Sequence, residues 1–288
     1  MKIKIGKKTI ANGKQPYIVG EIGINHNGDI ELAKKLMQVA KECGCDAVKF
    51  QKRTVEEVYT PEELARERHS PFGKTNGDLK RGLEFGLKEY KIIDKHAKKL
   101  GLDWFASCWD KKSVDFIEQF NPPAYKIASA CLTDDELLKY TKSKGKPVIL
   151  STGMSTIAEI EHAIDILGKD NLILCQCTAT YPTELAEVNL KVIETFKNKF
   201  SCLVGYSGHE KGYIPSVLSV VYGAVFVERH ITLDRTLWGT DQAASLEPEG
   251  LRRMIRDIKN IAIASGDGKK IVYESEKPII KKLRKVKS

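Results

Sequence analysis

Val225-Phe226-Val227-Glu228-Arg229-His230 is a short β-branched and aromatic run that closes on three ionisable residues. It continues through Asp234 and Asp241 to Ser245-Leu246-Glu247-Pro248. An apolar run that turns polar at its end is the pattern of a buried strand handing side chains to a site at its carboxyl end. A second run, Cys202-Leu203-Val204-Gly205-Tyr206, is followed in the same way by Ser207 and His209. Two neutral imidazoles at the ends of successive strands suit a divalent transition metal with positions left open for substrate. Taken singly, either histidine reads as a hydrogen-bonded structural residue, so the surroundings decide.

Outward from this stretch the same punctuation repeats. Residues 17–20 read as a strand with Glu21 at its end. The turn Asn25-His26-Asn27-Gly28-Asp29 follows, with Asp29 capping a helix that ends near Cys43. In residues 46–51, Ala47, Lys49 and Gln51 share one face while Val48 and Phe50 share the other. A lysine on an inward face is costly unless paired with an anion. A polar insertion runs from 52 to 86 with one short helix near 61–67; loops of this length are lids or disordered.

Beyond a helix over 89–100 the alternation is regular. Strands are expected at 103–107, 124–127, 147–150, 172–175, 202–206 and from 225. Helices are expected at 112–120, 134–143, 157–167, 190–197, 213–222 and 248–264. Eight strand-then-helix units imply an α/β fold with parallel strands, closed into a (β/α)8 TIM barrel over residues 1–265. The lead-in to about Gln15 predicts a hairpin turning at Asn12-Gly13.

In this layout Glu21, Lys49, Gln51, Ser107, Lys126, Ser129, Ser151, Thr152, Thr178, Tyr181, Ser207, His209 and His230 all fall at or just past strand carboxyl ends. Two lysines and several hydroxyls around one cavity suit a phosphate, a carboxylate or both. Lys49 has a second reading, as a buried structural ion pair with Glu228 or Glu21, and Gln51 and Tyr181 as hydrogen-bonded core residues. His26 is read as a local structural hydrogen-bonding residue.

The 288 residues fit one large domain of barrel size. Of the net charge of +9, a basic tail over 266–288 carries eight basic residues against three acidic. The remainder has no basic face interleaved with aromatics, so nucleic acid is not an expected partner. Seven cysteines, no secretory leader and no membrane-spanning apolar stretch point to a reducing cytoplasm. Cys175-x-Cys177 is read as core packing.

The chain resembles the catalytic barrel of the N-acetylneuraminate (sialic acid) synthases from about residue 17 to 264. The matching motifs are Gly20-Glu21-Ile22-Gly23-Ile24-Asn25-His26-Asn27-Gly28-Asp29, Val48-Lys49-Phe50-Gln51, Tyr125-Lys126-Ile127-Ala128-Ser129, Leu150-Ser151-Thr152-Gly153-Met154, Cys177-Thr178-Ala179-Thr180-Tyr181-Pro182-Thr183, Gly205-Tyr206-Ser207-Gly208-His209 and Glu228-Arg229-His230. The resemblance implies condensation of phosphoenolpyruvate with N-acetylmannosamine or a related aldehyde, using a divalent metal, Mn2+ or Mg2+. It implies His209 and His230 as metal ligands, and Lys49, Ser107, Lys126, Ser129, Ser151 and Ser207 as holders of phosphoenolpyruvate. Gln51, Tyr181 and Asp241 would contact the sugar, and Glu21 would lie close to the reacting carbons. A homodimer is compatible with it.

This chain departs from the family at three points. Cys131 stands where many members carry a glutamate, Ala179 where asparagine is frequent, and Ala106-Ser107-Cys108-Trp109-Asp110 where Ser-Thr-Pro-Phe-Asp is common. The run Glu274-Ser275-Glu276-Lys277-Pro278 resembles the family's linker to a small antifreeze-like domain, and the chain stops where that linker begins. Two rival readings are a Schiff-base pyruvate aldolase using Lys126 or Lys49, and a barrel that binds a sugar acid without catalysis.

Overall fold

The computed structural model describes residues 1–286; Lys287 and Ser288, the end of the expected tail, lie outside the described residues. A hairpin comes first, β1 (Lys2–Ile5) and β2 (Lys8–Ala11). The first two barrel strands, β3 (Tyr17–Gly23) and β4 (Ala47–Lys52), are followed by a small hairpin, β5 (Glu67–Ser70) and β6 (Gly73–Thr75). Six more barrel strands complete the set: β7 (Asp103–Cys108), β8 (Tyr125–Ile127), β9 (Val148–Ser151), β10 (Leu172–Cys177), β11 (Leu203–Gly208) and β12 (Phe226–His230). The eight barrel strands pair in parallel, and β12 returns to β3 to close the cylinder. The expected (β/α)8 barrel is the observed one.

Strand alternation sets the layers. On β4, Val48 and Phe50 face outward into a helix-covered shell with Leu36, Ile93 and Trp104, while Ala47 joins the barrel interior. The helices are cut as their ends direct. Ile30–Cys43 begins at Asp29, whose carboxylate accepts from Glu31 N, and ends on left-handed Gly44. Ile157–Leu167 begins with a capping box between Thr156 and Glu159.

The hairpin is real but turns elsewhere than expected. It reverses at Gly6, with φ +55, and not at Asn12-Gly13. This register sets Ile3 opposite Ile10 and lays Ile3, Ile5 and Ile10 across the amino end of the barrel, against Val19, Phe105, Ile149, Ile173, Leu203 and Phe226. Asn12-Gly13 still makes a turn, with Lys14 N donating to the Ala11 carbonyl at 3.2 Å, but it follows β2 and does not join the two hairpin strands, whose register is set by burial of the three isoleucines.

The insertion also differs from the expected loop. It folds as helices Val55–Val58, Pro61–Ala65 and Asn76–Leu83 around the β5–β6 hairpin. Val55, Leu79, Leu83 and Phe85 are buried, and a Thr75–Asp78 capping box starts the last helix. Four apolar anchors spread over a polar segment suffice to order it; only Leu79 and Leu83 share a helical spacing, too short a pattern to mark the segment's fold in the sequence.

Candidate active site

Along each strand the inward-facing residues pass from apolar to polar toward the carboxyl end. The sequence runs Val19 then Glu21 on β3, Ala47, Lys49 and Gln51 on β4, Phe105 and Ser107 on β7, and Phe226, Glu228 and His230 on β12. These polar residues, with Lys126, Ser129, Ser151, Ser207, His209 and Tyr181, line one pocket with about 620 Å³ of unfilled space. Arg229 faces outward between Glu228 and His230, where Glu210 pairs with it at 2.6 Å.

Two ammonium groups and two carboxylates form the base of the pocket. Lys49 Nζ lies 2.8 Å from Glu21 Oε2 and donates to Ser107 Oγ at 2.7 Å. Glu228 Oε1 accepts from Lys126 Nζ and from Ser207 Oγ, both at 3.2 Å, with Lys49 Nζ at 3.6 Å. The alternative reading of Lys49 is therefore geometrically real, yet the pair lies in the wall of a pocket and not in a sealed core. Four buried charges cost several kcal/mol each in desolvation, roughly, and are tolerated only when mutually compensated.

Their titration separates. Burial pushes the Glu21 carboxyl above the ordinary carboxylate range, with Lys49 opposing. Burial pushes Glu228 the same way, but Lys126 and Lys49 together hold it well below that range. Burial opposes the charge on Lys126, and Glu228 reverses this, keeping the ammonium above its usual range. A Schiff-base lysine needs its pKa depressed, and Lys126 is shifted the other way.

The two histidines face each other with ring centroids 5.5 Å apart. His209 Nδ1 is 2.8 Å from the Thr178 carbonyl, which as its hydrogen-bond acceptor leaves Nε2 as the lone-pair nitrogen. His230 Nδ1 is buried with no hydrogen-bond partner, and Asp241 Oδ2 lies 3.8 Å from it. Burial holds His230 neutral, the form a metal requires. Among the described residues no three His, Cys, Asp or Glu side chains converge on one ion position. Two imidazoles, one with an orphaned nitrogen, fit an ion whose remaining positions belong to water and substrate.

Among the other residues expected at the site, Gln51 Nε2 donates to Glu21 Oε1 at 3.1 Å. Ser129 Oγ accepts from Gly153 N at 2.9 Å, and Ser151 Oγ is buried without a partner. Tyr181 is 44% exposed and lies over His209 with centroids 4.0 Å apart. Asp241 is set back from the pocket wall, beside His230. Thr152 and Thr178 are turned away, bonding the carbonyls of Cys175 and Glu187. Gly23, φ +53, marks the bulge where β3 passes β4; a Cβ there would meet Glu21, Gln51 and His230 within 3.2 Å.

Four lining residues escape the sequence argument. Glu228 is foreseen at the polar end of its strand and as a partner for Lys49, whereas it holds Lys126 and Ser207 more closely. Cys177, read as core, lines the pocket with Sγ 3.8 Å from His209 Nδ1; the same alternation that sends Cys175 inward sends it there too. Trp109 and Met154 come from loops, where no periodicity points inward. Cys131 does not line the pocket, and burial pushes its thiol up to about 12, so it is no base at neutral pH.

The comparisons agree with this geometry. The NeuB family model matches residues 36–270. The N-acetylneuraminate-9-phosphate synthase of Mus musculus is 39% identical over 280 residues, covering 95% of this chain and 78% of that protein. The N,N'-diacetyllegionaminic acid synthase of Campylobacter jejuni is 37% identical over 280 residues, covering 94% and 84%. The crystal structure of N-acetylneuraminic acid synthetase from Leptospira borgpetersenii, in complex with citrate, superposes with a TM-score of 0.87 at 30% identity, covering 99% and 98%. Shared fold, a family match over most of the chain and identity at this level lead to one conclusion: the chain belongs to the NeuB family of enzymes.

Proposed function

We propose that the protein condenses phosphoenolpyruvate with an acceptor sugar aldehyde, N-acetylmannosamine or a relative, to give a 2-keto-3-deoxy sugar acid and phosphate. The observation that carries this reading is the meeting of Lys49, Lys126, four serine hydroxyls and two imidazoles over one pocket whose buried polar atoms include several without partners. An enol phosphate carries a phosphate and a carboxylate, and two ammonium groups with Ser107, Ser129, Ser151 and Ser207 match both. His209 and His230 would hold Mn2+ or Mg2+. Such an ion, when bound, polarises an aldehyde oxygen as a Lewis acid.

In this reading Gln51, Tyr181 and Asp241 orient the acceptor so that its carbonyl carbon faces the methylene carbon of the enol. A new carbon–carbon bond forms between them from the enol π pair, the acceptor's carbonyl oxygen takes up the broken C=O pair and is protonated by the proton that water gives up, and positive charge develops at the carbon bearing the phosphate. Glu21, held over that carbon by Lys49 and Gln51, stabilises the charge and takes a proton as water adds there. Loss of phosphate then leaves the ketone, and Lys126 steadies the departing oxyanion. Residues 1–265 are read as the synthase barrel and 266–286 as part of a linker-like tail. No helix among the described residues is long and apolar enough to cross a membrane; a cytoplasmic location is inferred from the free cysteines.

The test is phosphate release from phosphoenolpyruvate across N-acetylmannosamine, mannose, arabinose and their derivatives. Release is expected with at least one acceptor, abolished by chelation and restored by Mn2+ or Mg2+. Full turnover in excess chelator would remove the histidines from the mechanism. Borohydride trapping of pyruvate on Lys126 or Lys49 would replace this reading with the aldolase one.

A further inference from the structure

A second pocket opens beside the first, between the folded insertion and the segment that follows β12. Asn27, Arg68, His69, Lys80, Trp238 and Thr240 line about 870 Å³ of unfilled space. Its charge is one-sided. Nearby cations are matched, Lys52 with Glu84, Arg81 with Glu56 and Lys112 with Glu57. Arg53, Arg68 and Lys80 have no carboxylate within 4 Å among the described residues, and His69 is paired with Glu67.

Arg68 and Lys80 line this second pocket, while Arg53 contacts the wall of the first. The Arg53 guanidinium stacks over Trp109 at 4.2 Å and donates to the Gln51 side-chain oxygen, and both of those residues line the first pocket. Arg53 Nε is buried and has no hydrogen-bond partner. Lys80 is half-buried with Nζ 4.9 Å from the Tyr59 ring centre. Burial lowers its pKa, repulsion from Arg53 and Arg68 lowers it further, and Asp241 and Glu63 only partly oppose them. Like charges gathered on ordered elements raise the energy of the folded chain until an anion offsets them.

We propose that this pocket receives a phosphate monoester carried on the acceptor sugar at the end remote from its aldehyde. The inference rests on the condensation reading above, which puts the aldehyde at the histidines and leads the sugar outward past Gln51 and Asp241. Asp241 lies between the two pockets, 3.8 Å from His230 on one side and within the field of Lys80 on the other. A phosphate dianion matches the Arg68 guanidinium fork and the Lys80 ammonium that line the pocket, with the charge of Arg53 nearby. Phosphoenolpyruvate contributes three carbons, so a product phosphorylated at carbon 9, as the name of the Mus musculus relative states, comes from an acceptor phosphorylated at carbon 6. The Campylobacter jejuni relative's name carries no phosphate, and the two identities are nearly equal. The unpaired cations, and not overall similarity, favour the phosphorylated acceptor.

The experiment compares kcat/KM for N-acetylmannosamine 6-phosphate and N-acetylmannosamine with the full chain and phosphoenolpyruvate. Calorimetric binding of the sugar phosphate, without phosphoenolpyruvate, is measured in parallel. The phosphorylated sugar is expected to be favoured at least about tenfold, the effect of one or more charge-assisted hydrogen bonds. Arg68→Ala and Lys80→Ala should each reduce that preference about tenfold and weaken binding of the sugar phosphate, while Lys80→Arg retains both. A preference near one, or one unchanged in Arg68→Ala and Lys80→Ala, overturns the proposal. Turnover of the unphosphorylated sugar alone would do so while leaving the condensation reading intact. Binding of the sugar phosphate that depends on Lys80, with neither sugar consuming phosphoenolpyruvate, would uphold the phosphate pocket and remove the condensation reading.

Discussion

The two ends of the barrel interior are made by the same eight strands under opposite rules. At the amino end, Phe105, Ile149, Ile173, Leu203 and Phe226 pack beneath the isoleucines of the β1–β2 hairpin. Further along, two residues on in β7, β9 and β12 and four on in β10 and β11, the inward positions become Ser107, Ser151, Glu228, Cys177 and Ser207. Burial stabilises the first layer at about 25 cal/mol per Å² of apolar surface and opposes the second, where every charge must find a counter-charge. The difference separates tasks along one axis: the floor holds the cylinder closed, and the mouth tolerates costly groups because the floor is secure.

The largest effect is expected from breaking the mouth's charge balance. Lys126→Met leaves Glu228 buried with Lys49 at 3.6 Å as its remaining ammonium. Removing one partner of a buried pair costs about 3–5 kcal/mol. Loss of a group that steadies developing negative charge costs a further factor of about 10²–10³ in kcat. Adding Glu228→Gln to Lys126→Met removes the stranded charge, so denaturant melts should recover much of the stability while turnover stays lost. If the double substitution restores turnover as well, Lys126 is structural and the mouth follows the floor's rules.

Phe226→Ala tests the floor. Phe226 is fully buried and stacks near Tyr17, with ring centroids 6.1 Å apart. The substitution should lower unfolding free energy by about 3–5 kcal/mol. Below the new melting temperature kcat should change little, since Glu228 and His230 keep their strand. A fall in kcat of tenfold or more, with melting unchanged, would mean that the two layers are not separable.

How much of this was legible follows from the same contrast. The floor and shell were readable because apolar periodicity is a strong local signal: helices 157–167 and 248–264 were bounded as observed, with Thr156 and Pro248 marking their starts. Strands β10 and β11 run past their expected ends because Cys177 and Ser207 still pair across the ladder. Alternation placed Lys49, Gln51 and His230 inward, but could not tell which acid each lysine meets. That depends on β12 and β8 facing each other across the cylinder, a long-range consequence of closure. The insertion was least legible, because its order rests on four scattered apolar side chains, of which only Leu79 and Leu83 share a helical spacing. Arg53, Arg68 and Lys80 all belong to this insertion, and they drew no notice for the same reason.

His26 sharpens the comparison from between the layers. It belongs to the turn beside Glu21, yet it is packed as floor residues are: 3% exposed, stacked on Phe85 with centroids 3.9 Å apart, and accepting from Gly28 N at 3.1 Å. Burial lowers its pKa to about 3, with Asp29 opposing. The folded state therefore keeps the ring neutral while the unfolded chain protonates near 6.5, so stability is present above that pH and falls as pH drops below it. The slope is about 1.4 kcal/mol per pH unit. Between pH 7 and 5 wild type should lose about 2 kcal/mol more than His26→Phe, by urea melts at both pH values. His26→Phe itself costs roughly 1 kcal/mol at pH 7 through the lost bond to Gly28. Parallel pH dependences in the two proteins would show that the imidazole takes up its proton in place, which a stacked and dehydrated ring should not do.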